Sequence, residues 1–254
     1  MSEHVRVEKN GGLLAITLAR PERRNAITVA MYAALADAIA GAWEDGETRV
    51  IAISGEGQDF AAGNDLADFL QAMPRDEEIP VWRLLRALAD CEVPIVAAVH
   101  GNCVGIGTTM LLHCDLVVAA DDARFSMPFV DLALVPEAAS SLLFPRLAGR
   151  RRSARYLLLC EPFGAEEALD IGLASHVVAI AELSATQDKI VAALLAKPVE
   201  ALRITQKLLR KGTRDEVLER MQLEGAQFAE RLGSTEVKQA IESFFAKRGA
   251  KADA

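Results

Sequence analysis

Up to about residue 178, short apolar runs alternate with stretches of helical spacing. Residues 13–18, 50–54, 95–99, 116–120 and 174–178 are runs of five or six residues rich in Val, Ile, Leu and Ala, the length and composition of buried strands. Asn10-Gly11-Gly12, just ahead of the first run, is a hairpin signal. Thr28 is placed to cap a helix reaching about Trp43, and residues 65–89 carry helical spacing broken at Pro74 and Pro80. After Ile180 the strand-like runs stop. Residues 182–196, 198–211, 215–231 and 235–247 all have helical periodicity, with Pro198 at a start and Gly212 and Gly233 at stops. Alternation followed by helices predicts an α/β fold with a helical C-terminal region.

Composition narrows the class without changing that picture. A chain of 254 residues with 51% hydrophobic content can bury one large core, or a core plus an appendage. No run reaches the roughly 18 apolar residues of a membrane span, and Met1-Ser2-Glu3-His4 has no secretory character; a cytoplasmic protein is expected. Cys91, Cys103, Cys114 and Cys160 lack paired spacing and read as free thiols. A net charge of −8 disfavours nucleic acid or an anionic membrane as partner. Residues 197–254, with 12 Lys/Arg against 9 Asp/Glu, are nonetheless slightly basic and suited to a small polyanion. Arg146, Arg150, Arg151, Arg152 and Arg155 read as the solvated face of a helix.

Two runs of small residues stand between a predicted strand and a predicted helix: Phe60-Ala61-Ala62-Gly63-Asn64-Asp65-Leu66 and His100-Gly101-Asn102-Cys103-Val104-Gly105-Ile106-Gly107. Backbone N–H groups at such junctions lack a partner within the helix. Brought together, the two loops would make a hole for a developing negative charge. A dinucleotide site fits less well, because the glycines fall as Gly-x-x-x-Gly-x-Gly, Met110 occupies the place of a packing glycine, and no phosphate-loop lysine follows. His100, Cys103, His113 and Cys114 lie in an apolar strand, loop and helix without a carboxylate to orient an imidazole, so they read as core residues and not metal ligands. No Gly-x-Ser-x-Gly elbow exists, and Ser140 and Ser141 read as a helix start.

Arg20-Pro21 to Asn25-Ala26, the segment Phe60 to Leu66, Val93-Pro94-Ile95-Val96-Ala97-Ala98-Val99-His100-Gly101, Cys114-Asp115-Leu116 and Ala123-Arg124-Phe125-Ser126, in that order, resemble the crotonase superfamily of enoyl-CoA hydratases and isomerases. The resemblance implies a spiral of repeated ββα units over residues 1–190 that binds acyl-CoA, and a helical region over 191–254 that oligomerises, as a homotrimer or a dimer of trimers. It implies an acyl-CoA thioester as substrate, with coenzyme A carried by that substrate and no other cofactor and no metal. Carried over by position, the two oxyanion-hole donors are the N–H groups of Ala62 and Ile106. Two such donors stabilise the enolate left when an α-proton departs.

The acids depart from the hydratase pattern. The positions of the two hydratase glutamates hold Thr109 and Phe129, and neither side chain is an acid or base near neutral pH. Pro136-Glu137-Ala138-Ala139-Ser140-Ser141 is instead similar to a stretch of the Δ3,Δ2-enoyl-CoA isomerase branch, in which one glutamate is the base. Glu137 is accordingly the expected base, with Phe129, Leu132 and Leu134 as an apolar wall and Asp131 as the other nearby acid. A helix-start acid is the plainer reading of Glu137. By the same resemblance, coenzyme A runs along Arg23, Arg24, Ala26, the backbone of Ala61, Gly63, Asn64, Asp65 and Leu66, and Gly105, with Phe244 and Lys247 reaching it from the C-terminal segment. Two alternatives stand: a hydratase-like or other acyl-CoA reaction on the same scaffold, and a CoA-binding protein without catalysis.

Overall fold

The computed structural model describes residues 2–68 and 79–252, with the backbone alone for 244, 245 and 247–252. The expected helical break at Pro74 and the side chains of Phe244 and Lys247 lie outside the described residues. Strands β1 (Val5–Asn10) and β2 (Leu13–Leu18) form the expected hairpin, turned by Gly11 and Gly12 at positive φ. From β2 onward the main sheet is parallel, through β3 (Val50–Gly55), β4 (Ile95–Val99), β6 (Leu116–Ala120) and β9 (His176–Val178). The last strand is shorter than its apolar run. Ser175, just ahead of it, donates its own N–H to the carbonyl of Val117 and uses its hydroxyl on both the N–H and the carbonyl of the same residue.

A second sheet lies beside the first. It is built of β5 (Asn102–Val104), β7 (Arg124–Ser126) and β8 (Phe163–Gly164), and single parallel bridges from Ala61 to Cys103 and from Ile27 to Asn64 extend its line. Each turn of chain therefore gives one strand to the main sheet and one extended segment to the second, before a helix returns it. That is the repeated ββα spiral. The helices are α1 (Val29–Glu44), α2 (Pro80–Asp90), the short α3 (Ile106–Thr109), α4 (Ser140–Ala148), α5 (Arg150–Leu158) and α6 (Ala165–Asp170), then α7 (Leu183–Leu195), α8 (Val199–Arg210), α9 (Arg214–Leu232) and α10 (Thr235–Ala252). Thr28 caps α1 by accepting from the N–H of Met31, and Pro80 begins α2 instead of breaking one.

All five residues of β4 are buried, as a parallel strand covered on both faces requires. Ile95, Ala97 and Val99 face the main core, while Val96 packs with Val50 and Val191 beneath α7. Gln187 of α7 donates to the carbonyls of Ile53 and Val96. The arginine cluster is at the surface, where Arg146, Arg152 and Arg155 pair with Glu216, Asp170 and Glu161. No helix among the described residues is long and apolar enough to cross a membrane.

One polar knot holds the first loop in place. Arg24 and Asn25 adopt the left-handed conformation, at φ 52° and 55°. The fully buried Asn25 side chain accepts from the N–H of Arg20 and donates to the carbonyls of Glu56 and Asp59. Asn25→Ala strands all three partners, and is expected to lower the unfolding free energy by about 2–4 kcal/mol. Urea denaturation of the variant beside the native chain measures it; a change well under 1 kcal/mol would show that the knot is not stabilising.

Candidate active site

The two small-residue loops meet beside a cavity of about 720 Å³. Their approach is close enough to need glycine. A Cβ on Gly107 would lie 2.9 Å from that of Ala61, and one on Gly63, at φ +83°, would lie 3.1 Å from the carbonyl oxygen of Val104. The cavity brings together Arg23, Arg24, Ala26, Ala62, Gly63, Asn64, Asp65, Leu66, Gly105, Ile106 and Phe129, with Leu132 and Leu134 in the wall. Ala61 is not among them. It is fully buried, its N–H donating to Asn102 and its carbonyl accepting from Val104, so its backbone is committed to the sheet.

The donor in the first loop also differs from expectation. The N–H of Ala62 donates to the carbonyl of Arg24 at 2.9 Å, because the left-handed turn at Arg24 and Asn25 folds that carbonyl over it. Ala62 is therefore not a free donor. The carbonyl of Gly63 accepts from Ile27, and in a trans peptide the next N–H points the opposite way. The N–H of Asn64 is thus turned from Ile27 towards the second loop. Ile106 is the first residue of α3, so its N–H has no partner in the helix. Neither N–H meets an acceptor among the described residues. Asn64 and Ile106 thus offer one free donor from each loop.

Around the donors the charges are ordered by burial and pairing. Asp65 is tied to Arg20 at 2.8 Å; burial alone would raise its carboxyl, but the guanidinium holds it below the ordinary value. Tyr32, fully buried on α1, donates to the side-chain oxygen of Asn64 at 2.6 Å. Arg23 and Arg24 stand at the rim, 60% and 61% exposed, at 3.9 Å from Asp65 and 3.8 Å from Asp59.

Glu137 lies just behind the lining, 9% exposed. Thr109, one turn beyond Ile106 on α3, donates its hydroxyl to the Glu137 carboxylate. Burial pushes that carboxyl up from 4.5 to about 8, the Thr109 hydrogen bond pulls the other way, and the nearby Glu224 carboxylate adds to the rise. Glu137 is not a first-turn helix acid, since α4 begins at Ser140. Asp131 lines the cavity directly. His113, weighed as a metal ligand, is buried and bonded through Nε2 to the carbonyl of Ala138 at 2.8 Å; burial lowers it to about 4, so the ring is neutral. Among the described residues no group of three or more His, Cys, Asp or Glu could hold a metal ion.

A family model described as enoyl-CoA hydratase/isomerase matches residues 8–252. The chain belongs to the enoyl-CoA hydratase/isomerase family. A probable enoyl-CoA hydratase of Rhodobacter capsulatus is 33% identical over 98% of the chain and 97% of its own length. The enoyl-CoA delta isomerase 2 of Rattus norvegicus is 34% identical over 85% of the chain and 56% of its own length. The crystal structure of an enoyl-CoA hydratase/isomerase from Pseudoalteromonas atlantica superposes with a TM-score of 0.93 at 39% identity, over 96% of the chain and 98% of that one. The spiral is the crotonase fold, and the chain is an acyl-CoA-processing enzyme of this family.

Several residues of this enoyl-CoA hydratase/isomerase site escape a reading of the sequence. Phe228 of α9 and Ala240 and Ser243 of α10 line the cavity, although their helices read only as periodic. Tyr32 gives no signal, being one aromatic on an apolar helix face. Glu224 does give one, as the single acid on the buried stripe Val217, Met221, Glu224 and Phe228 of α9.

Proposed function

We propose that the chain is a Δ3,Δ2-enoyl-CoA isomerase with Glu137 as its one acid–base. The observation that carries this reading is the pairing of Glu137 with Thr109. The residue at one lost hydratase position has become the hydrogen-bond partner of a buried carboxyl, one helical turn from a free donor. In the reaction the Glu137 carboxylate takes a proton from carbon 2 of a 3-enoyl thioester. The electron pair moves onto the thioester oxygen, held by the N–H groups of Asn64 and Ile106. The protonated carboxyl then returns the proton at carbon 4, leaving the 2-enoyl product. Burial suits this transfer, because water would exchange the proton. Arg23 and Arg24 would take the phosphates of coenzyme A.

Turnover of trans-3-hexenoyl-CoA, followed by the absorbance of the conjugated thioester, tests the reading. The base must be ionised, so kcat/KM is expected to rise with pH and level off above an inflection near 8. Stability runs the other way. The folded-state value lies above the unfolded 4.5, so the stability Glu137 contributes is full below 4.5 and is lost as pH rises through about 8. A flat profile across that range would remove Glu137 from the proton transfer.

One observation favours a second reading. Asp131 lines the cavity while Glu137 stands behind the wall, which suits another acyl-CoA reaction with Asp131 as base. Asp131→Asn would then abolish turnover and Glu137→Gln would spare it. Oligomerisation is proposed through α8, where Ile204, Leu208 and Leu209 are 56%, 61% and 75% exposed.

A further inference from the structure

Nothing in the reaction itself accounts for the buried acid of α9. Glu224 is 6% exposed, and its two carboxylate oxygens accept from the N–H of Ala139 at 2.6 Å and of Ser141 at 2.9 Å. Both oxygens act as acceptors for backbone donors, the arrangement of an ionised carboxylate. Between these contacts and Glu137 the chain does something costly: Ala138 and Ala139 both adopt the left-handed conformation, at φ 59° and 56°. For residues with a Cβ such a conformation persists only where surrounding contacts impose it. Three side chains supply those contacts. Glu224 takes two N–H groups, His113 takes the carbonyl of Ala138, and Arg220 donates to the hydroxyl of Ser141.

We propose that Glu224 is a positioning residue for Glu137: by bonding the N–H groups of Ala139 and Ser141 it fixes the left-handed pair that aims the Glu137 carboxyl at Thr109 and the donor loops. It never touches substrate. Burial raises the Glu224 carboxyl above its ordinary value, while its bonds from Ser141 and Ala139 and the Arg220 charge pull it back; its own charge in turn disfavours ionisation of Glu137. Of the other groups around Glu137, Thr109 from α3 and Tyr32 from α1 are neutral and His113 is neutral above about 4, while the Arg220 guanidinium keeps its charge beside Glu224, whose carboxyl it lowers. The catalytic part of this inference rests on Glu137 being the base; the conformational and electrostatic part does not.

The test compares the native chain with Glu224→Gln, Glu137→Gln and the double variant Ala139→Gly/Glu224→Gln. Infrared difference titration, with Glu137→Gln as the blank that identifies the band, reads the Glu137 carboxyl whether or not it is the base. In Glu224→Gln its inflection is expected to move down, and the acid limb of kcat/KM with it. Loss of one N–H contact is expected to lower kcat roughly tenfold while KM changes little. Glycine adopts the left-handed conformation without cost, so Ala139→Gly in that background should restore most of kcat and leave the displaced inflection where it is. It also supplies a folded form if Glu224→Gln alone is unstable. An unmoved inflection in a folded variant, or a kcat loss that glycine does not relieve, overturns the proposal. Should Glu137→Gln keep full turnover while the infrared inflection still moves, the isomerase reading fails and the coupling of Glu224 to Glu137 stands.

Discussion

Glu137→Gln is expected to lower kcat for trans-3-hexenoyl-CoA isomerisation by about 10²–10⁴-fold, the usual contribution of a positioned general base, with KM little changed. Glutamine keeps the shape of the side chain and an oxygen able to accept from the Thr109 hydroxyl, so the surroundings have no reason to rearrange. What is lost is the capacity to hold a proton between carbon 2 and carbon 4. Unfolding does not explain such a loss, because the variant removes a buried group that must ionise on the alkaline side; its stability should fall less than the native chain's as pH rises through about 8. Steady-state kinetics alongside thermal melts at two pH values separate these effects. Near-native turnover in the variant would sink the assignment and turn attention to Asp131.

Ile106→Pro addresses the hole itself, since proline deletes one backbone donor and little else. Ile106 is the first residue of α3, where proline's fixed φ is welcome and no intrahelical bond is lost. Gly105, at φ 55° and ψ −119°, is outside the α region that a following proline excludes. The smaller ring leaves some space where a buried isoleucine stood, costing about 1–2 kcal/mol of stability. Against that, kcat should fall about 10²–10³-fold, the typical effect of removing one oxyanion donor. A thermal melt establishes that the variant is folded. Turnover within a few-fold of native in a folded Ile106→Pro chain would mean that the enolate oxygen is held elsewhere.

How legible this site was depends on which kind of interaction fixed each part. The parallel strands were readable because β4 is apolar on both faces, a demand made by burial alone. Ile106 came only by resemblance, and the structure supplies the physical reason that its N–H is free: it is the first residue of α3. Ala62 came the same way but does not serve, because its N–H is consumed by the Arg24 carbonyl, and nothing local announces that Arg24 and Asn25 are left-handed. That conformation comes from Asn25 reaching Glu56 and Asp59, more than thirty residues away. Thr109 was identified as a position without an acid, yet its hydroxyl has a use that appears only when Glu137 is seated against it. Glu224 was visible in principle, as a charge on an otherwise apolar stripe; its partners Ala139 and Ser141 belong to a segment 83 to 85 positions earlier and needed the fold to be seen.

The polar seam that α9 makes with the segment around Glu137 also sets an order of events during synthesis. Asn64, Ile106 and Glu137 all lie within the first 137 residues, but Arg220, Glu224 and Arg231, which bind Ser141, Ala139 and Ala133, come near the end. Before α9 is made, the segment bearing Glu137 has only Thr109 and His113 to hold it, and the main core still lacks Val217, Met221 and Phe228. A product truncated before α9 would lack the carboxylate that takes the N–H groups of Ala139 and Ser141, together with three side chains of the main core.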